Sequence, residues 1–434
     1  MKVNYVTSLF PGASETFASN DAREMASRGI DLTIHSLRPA QAETEILVTQ
    51  RGLGRVSRTY NGFAASLRGI TMIVRRPRVA LDLLTALFRY CSRTPLHLGK
   101  SLVLLPRALD IFSAVERQPP DVVHAHWSDY PAMVVYLVQR YVPGVVTSIS
   151  FVAHDILASY GLSGPVAKQA DFVRTLAQVN VQQVEERFGV PAERIEIVFD
   201  SVDLTLVPPA TERVPRSVLT VGRLVEKKGT ELVLQAFAKV RQAWQDASLR
   251  VLGAGPKLDE LSRLATDLGI ETAVTFVGHV PQDEVLREMR RAEVFLFLSE
   301  SERLPNVVKE AMVCGCVCVA SDTDGIDELI AHGTSGFVVP QRDIDGAAGY
   351  VDDIFAGRVA THEMTRSAEA TIRDGFDLQV SVGRYQQRWT ELVRAKRRDE
   401  VLGRRVTRGR ANPAPASELP AGQEPRPSSP HGDH

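Results

Sequence analysis

The segment VNYVTSLFPGASETFASNDAREMASRGIDLTIHS, residues 3–36, carries the pattern that decides the fold. Residues 3–9 form a short apolar run, which predicts a strand. The turn-rich loop 10–17 follows and opens a helix that ends near Gly29. Residues 30–36 predict the next strand. Strand, helix and strand in this order make a βαβ unit, and such a unit implies a parallel sheet.

The same alternation recurs in two series, separated by a proline-rich break. Pro208, Pro209 and Pro215 mark the break, so we place the linker near residues 204–216. Two successive series predict two doubly wound, Rossmann-like α/β domains facing each other across a cleft, with ligands at the carboxyl ends of the strands. The further predicted strands are residues 122–126, 145–151, 195–199, 218–221, 249–252, 274–277, 294–298 and 317–320.

These features divide the chain into four segments. Residues 1–205 form the first α/β domain and residues 206–375 the second. Residues 376–398 are predicted to form a helix that returns to the first domain. Residues 399–434 are predicted to be a disordered tail, because the chain from Val401 onward holds six prolines and no aromatic residue.

The composition is that of a globular protein and excludes several classes. The 434 residues hold 51 Lys and Arg against 52 Asp and Glu, a formal net charge of −1, whereas a nucleic-acid coat protein carries a basic excess. Four cysteines are too few for a disulfide framework and favour a reducing cytosol. The sequence shows neither the build of a signal peptide nor a spanning stretch of ~18 apolar residues. We therefore expect a cytoplasmic protein, free or resting on a membrane surface.

Residues 66–107 are rich in both apolar and basic side chains. They hold eight Lys and Arg and a single acid, Asp82, which gives a local net charge of +7. Helices that are basic on one side and apolar on the other can lie on anionic lipid. The alternative is a helical insertion that packs on the domain and keeps a solvated basic face. The sequence does not distinguish between these two hypotheses.

Two clusters of metal-ligating side chains have simpler explanations. Cys314, Cys316 and Cys318 alternate, which allows a metal or redox site, but the run is typical of a buried strand whose free cysteines act as small apolar residues. His124 and His126 share one face of a predicted strand, and no third ligand is evident from the sequence. We predict no metal site and no cofactor.

The segment SESERLPNVVKEAMVCG, residues 299–315, carries the most informative chemistry. It follows a predicted strand and turns into a helix, with Pro305 near the first helical position. Free N–H groups at a helix start attract anions, above all phosphates. Glu302 on the loop and Glu310 in the helix can accept hydrogen bonds from sugar hydroxyls. This combination suits a sugar joined to a diphosphate.

A second segment, VGRLVEKKG at residues 221–229, also follows a predicted strand. Its glycines let the backbone approach a ligand closely. Arg223 and Lys228 offer positive charge to a phosphate group. The spacing of a P-loop is absent. Taken alone, the segment is equally typical of a solvated basic surface.

Taken together, four segments in this order resemble a family 4 glycosyltransferase with the GT-B fold, similar to members that build bacterial exopolysaccharides and colanic acid. Residues 10–17 resemble the first loop of those members, and residues 151–156 the segment with the active-site histidine. Residues 222–229 resemble the diphosphate-binding segment, and residues 302–312 match the Glu-x7-Glu motif. The resemblance covers about residues 1–395.

The resemblance implies a role for each matching side chain. Arg223 and Lys228 would neutralise the departing diphosphate in place of a metal. Glu310 would hold the ribose, Glu302 would hold hydroxyls of the donor sugar, and His154 would lie over the sugar near its reactive carbon. The other implied site residues are Gly222, Leu304, Pro305 and Asn306 on the donor side and Gly12, Ser14, Glu15 and Thr16 in the acceptor-side loop.

The resemblance also implies the reaction. It is a retaining, metal-independent transfer of a sugar from a UDP- or GDP-linked donor to a glycan, and we expect the acceptor to be lipid-linked in bacterial polysaccharide synthesis. The second domain would bind the donor and the first the acceptor. Peripheral contact with the inner face of the plasma membrane through about residues 66–107 is expected, and nucleic acid is not expected as a partner.

The sequence departs from the family pattern in ways that leave alternatives open. Arg303 stands where many members have glycine, Val317 stands where proline is usual, and Asp200 stands where asparagine is usual. A catalytically silent sugar-nucleotide-binding or partner protein of the same fold is therefore a second hypothesis. An NAD-dependent oxidoreductase would need a Gly-x-Gly-x-x-Gly run after the first strand, which is missing. Glu328 could cap a helix or contact the nucleotide.

Overall fold

The computed structural model describes residues 1–12 and 16–410. Its first seven strands are β1 (Lys2–Thr7), β2 (Asp31–Ser36), β3 (Ser57–Tyr60), β4 (Val122–Ala125), β5 (Val146–Phe151), β6 (Phe172–Thr175) and β7 (Ile195–Ile197). They form one parallel sheet in the order β3-β2-β1-β4-β5-β6-β7. The strand order reverses between β1 and β4, and such a switch point is where doubly wound sheets bind ligands.

Helices connect these strands. They are α1 (Thr16–Ser27), α2 (Thr44–Gln50), α3 (Phe63–Arg75), α4 (Pro77–Cys91), α5 (Pro95–Arg117), α6 (Ala132–Tyr141), α7 (Ala153–Ala158), α8 (Ser163–Gln169) and α9 (Gln178–Phe188). The predicted basic insertion corresponds to α3, α4 and α5, whose inner sides join the core beside the sheet. In the part of the chain that the structure describes, no helix combines the length and apolarity needed to cross a bilayer.

The second sheet is again parallel throughout. Its strands are β8 (Ser217–Val221), β9 (Ser248–Leu252), β10 (Val274–Gly278), β11 (Val294–Phe297), β12 (Val317–Ser321) and β13 (Phe337–Val339), in the order β10-β9-β8-β11-β12-β13. Its switch point lies between β8 and β11. Its helices are α10 (Thr230–Ala243), α11 (Leu258–Asp267), α12 (Gln282–Arg291), α13 (Asn306–Val313), α14 (Ile344–Phe355) and α15 (Thr361–Gly375).

The two doubly wound parallel sheets predicted from the sequence are confirmed. The prediction that Cys314, Cys316 and Cys318 share one strand is wrong, because Cys314 caps the end of α13 and Gly315 turns the chain with φ +78° before β12 begins. All three thiols are buried, and desolvation raises their pKa values above the ordinary value.

The last helix, α16 (Leu378–Arg410), leaves the second sheet and packs against the first. Trp389 is fully buried there and its Nε1 donates to Ser148 Oγ at 3.3 Å. Tyr385 is also buried and lies under the Arg174 guanidinium at 4.5 Å. The helix continues through residues 399–410, which the composition had assigned to the tail; the remainder of that segment, residues 411–434, lies outside the described residues.

Candidate functional site

The loops that follow β8 and β11 are joined by their backbones at the second switch point. Lys227 O accepts hydrogen bonds from Ser299 Oγ at 2.8 Å and from Glu300 N at 3.0 Å. Gly229 is left-handed, with φ +60°, and a Cβ at this position would lie 1.9 Å from Leu298 O. Only glycine permits both this conformation and this close approach. The predicted phosphate segment and the Glu-x7-Glu loop therefore form one continuous site.

An ion pair joins these two loops. Lys228 Nζ binds Glu302 Oε1, and each side chain is less than a fifth exposed. The Phe297 ring lies 5.8 Å from Lys228 Nζ. Arg223, on the same loop as Lys228, is exposed, and its side chain makes no ion pair or hydrogen bond among the described residues. A ligand with an anionic and a hydroxyl-bearing part can separate Lys228 from Glu302 and give each a new partner.

The chain enters α13 through a constrained turn. Leu304 has φ +47°, Pro305 is extended and precedes the helix, and Asn306 is the first helical residue. Pro305 thus lies directly before the first helical position, which agrees with its predicted place near the start of the helix. Asn306 Oδ1 accepts from Lys309 Nζ at 2.9 Å. Lys309 itself is fully buried and also donates to Asp200 O at 2.7 Å, which ties α13 to the end of the first domain.

Glu310 lies on α13, eight residues after Glu302 in the motif. Gln282 Nε2 donates to Glu310 Oε1 at 2.8 Å. Desolvation raises the pKa of Glu310 to about 7, although the Gln282 hydrogen bond and the Lys309 charge lower it. The carboxyl group is therefore close to half-ionised at neutral pH, and a ligand that donates hydrogen bonds to it favours the ionised form.

Arg303 points away from the loop and reaches α9 of the first domain. Its Nη1 donates to Asn180 Oδ1 at 2.7 Å and its Nη2 to Gln183 Oε1 at 2.8 Å. Asp324 Oδ2 lies 3.4 Å from Arg303 Nε. The side chain is 12% exposed and is held by these partners. Arg303 was the sequence feature that favoured a catalytically silent homologue, because it would place a cation where the donor sugar is expected. In the structure its guanidinium connects the two domains instead.

Glu328 makes a second connection to the same helix. Both of its carboxylate oxygens accept from Gln178 N at 3.0 Å, and Oε1 also accepts from Val179 N at 3.5 Å. These are free N–H groups of the first turn of α9, where an anion is favoured by the helix dipole. Of the two roles considered for Glu328, the structure shows helix capping, and the capped helix belongs to the other domain.

His154 lies at the carboxyl edge of the first sheet, in the first turn of α7. Its side chain is 86% exposed, and its Nδ1 lies 4.0 Å from Asp155 Oδ1. Asp155 is buried and accepts from Ser128 N at 2.9 Å and Val152 N at 3.5 Å. Burial raises the pKa of Asp155 above its ordinary value in spite of these hydrogen bonds. The exposed imidazole therefore extends from a backbone turn that the hydrogen bonds of Asp155 hold in place.

Asp129 is a candidate that the sequence reasoning missed. It follows β4 at the first switch point, and Ser8 Oγ donates to its Oδ1 at 2.9 Å. Desolvation, and secondarily the charge of Asp155, raise the pKa of Asp129 to about 7. The signal in the sequence was a polar pair, Ser128 and Asp129, directly after a buried strand. Such a group can accept or donate a hydrogen bond near neutral pH.

The first loop follows β1 and is tied down by Arg51. Arg51 Nη1 donates to Gly12 O at 2.9 Å and to Ser19 Oγ at 3.1 Å. Thr16 begins α1. The predicted residues Ser14 and Glu15 lie outside the described residues, so their candidate roles stay predictions.

The two histidines considered as a metal pair have structural partners. His124 Nδ1 lies 2.7 Å from Ser148 Oγ, and the Tyr5 ring packs against both imidazoles. Both are buried, and burial lowers the pKa of His126 to about 3 and that of His124 well below its ordinary value. Among residues 1–12 and 16–399, no three His, Cys, Asp or Glu side chains are grouped as metal ligands.

The site therefore consists of two parts. The edge of the second sheet carries Gly222, Arg223, Lys228 and Glu302, with Glu310 on the adjoining helix. The edge of the first sheet carries the other predicted residues, Gly12 and His154, together with Asp129. Cations and carboxylates on one side and titratable groups on the other can hold an anionic, hydroxyl-rich ligand by charge and hydrogen bonds.

Comparisons with known proteins point to one class of enzyme. Residues 188–371 match the family model described as Glycosyl transferases group 1. The amylovoran biosynthesis glycosyltransferase AmsK of Erwinia amylovora is 24% identical over 405 residues, which are 88% of this chain and 97% of the relative. The glycogen synthase of Mycobacterium tuberculosis is 28% identical over 296 residues, which are 65% of this chain and 71% of the relative.

The solved structures give the same architecture. HepE of Anabaena in complex with UDP matches with a TM-score of 0.68 at 18% identity, over 90% of this chain and 100% of that one. At this identity the likeness concerns the fold alone. The GT-B fold expected from the sequence is confirmed.

Proposed function

The chain carries a domain of the glycosyltransferase group 1 family at residues 188–371, and on this premise we propose that it is a retaining, metal-independent enzyme that transfers a sugar from a UDP- or GDP-linked donor. The observation that carries the proposal is the Lys228–Glu302 ion pair, together with the exposed Arg223 on the same loop, whose side chain has no ion pair among the described residues. A nucleotide sugar offers a diphosphate for the two cations and hydroxyls for the carboxylate. HepE was solved with UDP, which supports UDP as the first nucleotide to test.

Each side chain contributes to the reaction by position and charge. Arg223 and Lys228 stabilise the negative charge that develops on the diphosphate as the bond to the sugar breaks. Glu302 accepts from sugar hydroxyls and Glu310 from the ribose, which fixes the reactive carbon beside the acceptor. Since two cations neutralise the leaving group, no metal ion is needed. The departing phosphate can take the acceptor proton on the same face of the sugar, which retains the anomeric configuration.

We further propose that the acceptor is a lipid-linked glycan in polysaccharide synthesis. The relative AmsK, which matches almost over its full length, is named for amylovoran biosynthesis. The first domain would bind this acceptor, with His154 over the donor sugar and the loop at Gly12 on the opposite wall. An acceptor of this kind places the reaction at a membrane surface.

A thermal-shift screen tests the donor site. The full chain is heated with UDP, GDP, ADP and their sugar conjugates, with and without EDTA. A ligand at 100 times its Kd raises the free energy of unfolding by about 2.7 kcal/mol. We therefore expect one nucleotide family to raise the Tm. EDTA should leave this rise unchanged, and Glu310→Ala should abolish it. No shift with any nucleotide would overturn the assignment. NMR of the product anomer then tests retention, and binding without turnover would identify a silent homologue.

A further inference from the structure

Helix α3 presents an apolar stripe to the outside of the molecule. Phe63, Leu67, Ile70 and Val74 recur at spacings of four, three and four residues, which places them on one side of the helix. Their exposed fractions lie between 48% and 79%. The opposite side is buried against α5, where a Cβ on Gly69 would lie 1.8 Å from Pro106 O. The helix is therefore fixed with its apolar stripe turned outward.

The neighbouring helices α4 and α5 also expose large apolar side chains. Leu81 and Phe88 are exposed on α4, and Leu96, Leu102 and Val103 are exposed on α5. Of the fifteen large apolar side chains that are exposed in the described part of the chain, nine belong to α3, α4 and α5. Soluble proteins scatter such residues singly, whereas a concentration of them marks an interaction surface. We call these nine residues the apolar face.

Unpaired cations lie on or between the same three helices as the apolar face. Arg68 is paired with Asp110 and Arg76 with Glu116. Asp82, the one acid of the segment, is paired with Arg140. In residues 1–12 and 16–399, five exposed cations on or between these helices have no carboxylate within ion-pair distance: Arg75, Arg78, Arg89, Arg93 and Lys100.

We propose that the apolar face with its five unpaired cations binds the surface of a bilayer that contains anionic phospholipids. A bilayer offers apolar chains for the face and anionic headgroups for the cations. A second copy of this chain fits less well, because a two-fold contact would place the cations of one copy opposite those of the other. The inference rests on the proposed function, since it names the surface on which a lipid-linked acceptor is met.

The position of the apolar face agrees with such an acceptor. The first turn of α5 carries His97, whose ring lies 6.4 Å from the Tyr130 ring and 5.9 Å from the Tyr160 ring. Tyr130 follows β4 and Tyr160 follows β5 and α7, on the sheet edge where His154 lies. Leu157, three residues after His154, is itself 62% exposed. The amino-terminal end of α5 thus connects the apolar face to the acceptor side of the site.

Sedimentation with vesicles tests the proposal. The full chain is mixed with vesicles of phosphatidylcholine alone or with phosphatidylglycerol added, at two salt concentrations. We expect binding only to the anionic vesicles, weaker at high salt. Arg75→Gln with Arg78→Gln should lower the partition coefficient about 25-fold, because each cation near the surface contributes about fivefold. Phe63→Ser with Val74→Ser should lower it roughly tenfold or more.

Matched variants control for charge and apolarity elsewhere. Arg366→Gln on α15 and Leu258→Ser on α11 alter exposed residues of the other domain and should leave vesicle binding unchanged. No binding to anionic vesicles, or equal loss in these controls, would overturn the proposal. Light scattering that shows a dimer dissociated by the Phe63 and Val74 substitutions would assign the face to a second copy instead.

The donor-site experiment separates this inference from the proposed function. The face variants should keep the nucleotide-induced thermal shift, because none of them lies in the donor site. A chain that binds nucleotide but not vesicles has the proposed function without this membrane surface. A chain that binds vesicles but no nucleotide has the surface without the proposed function.

Discussion

The Arg303 guanidinium donates to Asn180 Oδ1 at 2.7 Å and so joins the loop before α13 to α9 of the other domain. Gln183 accepts a second hydrogen bond from it, and Glu328 caps the first turn of the same helix. The residue beside Arg303 is Glu302, which pairs with Lys228. The relative orientation of the domains and the position of the Glu302 carboxylate, the proposed sugar-binding group, are therefore connected through one short loop.

Arg303→Leu should loosen this connection. Hydrogen bonds to a charged group contribute about 1.5–3 kcal/mol, so we expect the balance between closed and open domains to move by about tenfold or more toward the open form. Small-angle X-ray scattering should then show a larger radius of gyration, and KM for the donor should rise. Arg373→Leu removes an ion pair with Glu369 within α15 and serves as the control. Identical scattering from the Arg303 variant and the parent would refute a role in closure.

Lys228→Gln should damage catalysis far more than folding. Removing one preorganised cation from a site where charge develops costs about 3 kcal/mol, a few-hundred-fold in kcat. The substitution also leaves Glu302 without its partner, so donor affinity should fall as well. Steady-state kinetics with the nucleotide sugar measure both effects.

The neighbouring residue provides a close control. Lys227 is exposed, and the contacts described for it use its backbone oxygen. Lys227→Gln should therefore keep kcat within a fewfold of the parent. Equal losses in the two variants would mean that general charge, and not the position of Lys228, supports activity.

The fold and the donor loops could be predicted because their signals are local. Strand-helix alternation identifies two parallel sheets, and the loops after β8 and β11 must be neighbours once these strands pair. The short strands β3, β6 and β13, of three or four residues, were not identified. β3 and β6, with the sequences SRTY and FVRT, lack the continuous apolar run by which β11, a strand of the same length, was identified.

The direction of Arg303 could not be predicted. Its partners, Asn180 and Gln183, are about 120 residues away and belong to the other domain. The contacts between side chains of two domains depend on how the domains pack against each other. No local sequence pattern encodes that packing. The same reason explains why Glu328 was expected to cap a helix or contact a ligand, while its partner on α9 stayed unknown.

His154→Ala should lower kcat without lowering thermal stability. The side chain is 86% exposed, so its removal leaves no cavity and costs little packing energy. A purely structural histidine would show the reverse, a lower Tm with normal kcat. Calorimetry and initial rates on one preparation separate the two, and His362→Ala, exposed on α15, should change neither quantity.

Ionisation of the buried Glu310 carboxyl group should lower the free energy of unfolding as the pH rises. Its pKa is raised by desolvation from 4.5 to about 7, so between these values the folded state binds the proton more strongly than the unfolded state. The stabilisation is complete below about pH 4.5 and is lost as the pH rises through about 7. Glu310→Gln has no such titration. At pH 8 it should be more stable than the parent, by on the order of 1–3 kcal/mol.

Donor binding should show the opposite dependence on pH. In the proposed donor site the ionised Glu310 carboxylate would accept two hydrogen bonds from ribose hydroxyls, so donor affinity should increase through about pH 7 as the proton leaves. A nucleotide sugar is the correct probe, because its diphosphate diester stays fully ionised across this range, and calorimetric titration at pH 6 and pH 8 measures the change. In Glu310→Gln the affinity should be lower and independent of pH. A variant that is more stable at pH 8 yet binds the donor more weakly cannot owe its loss of binding to unfolding, whereas unchanged affinity would remove Glu310 from the donor site.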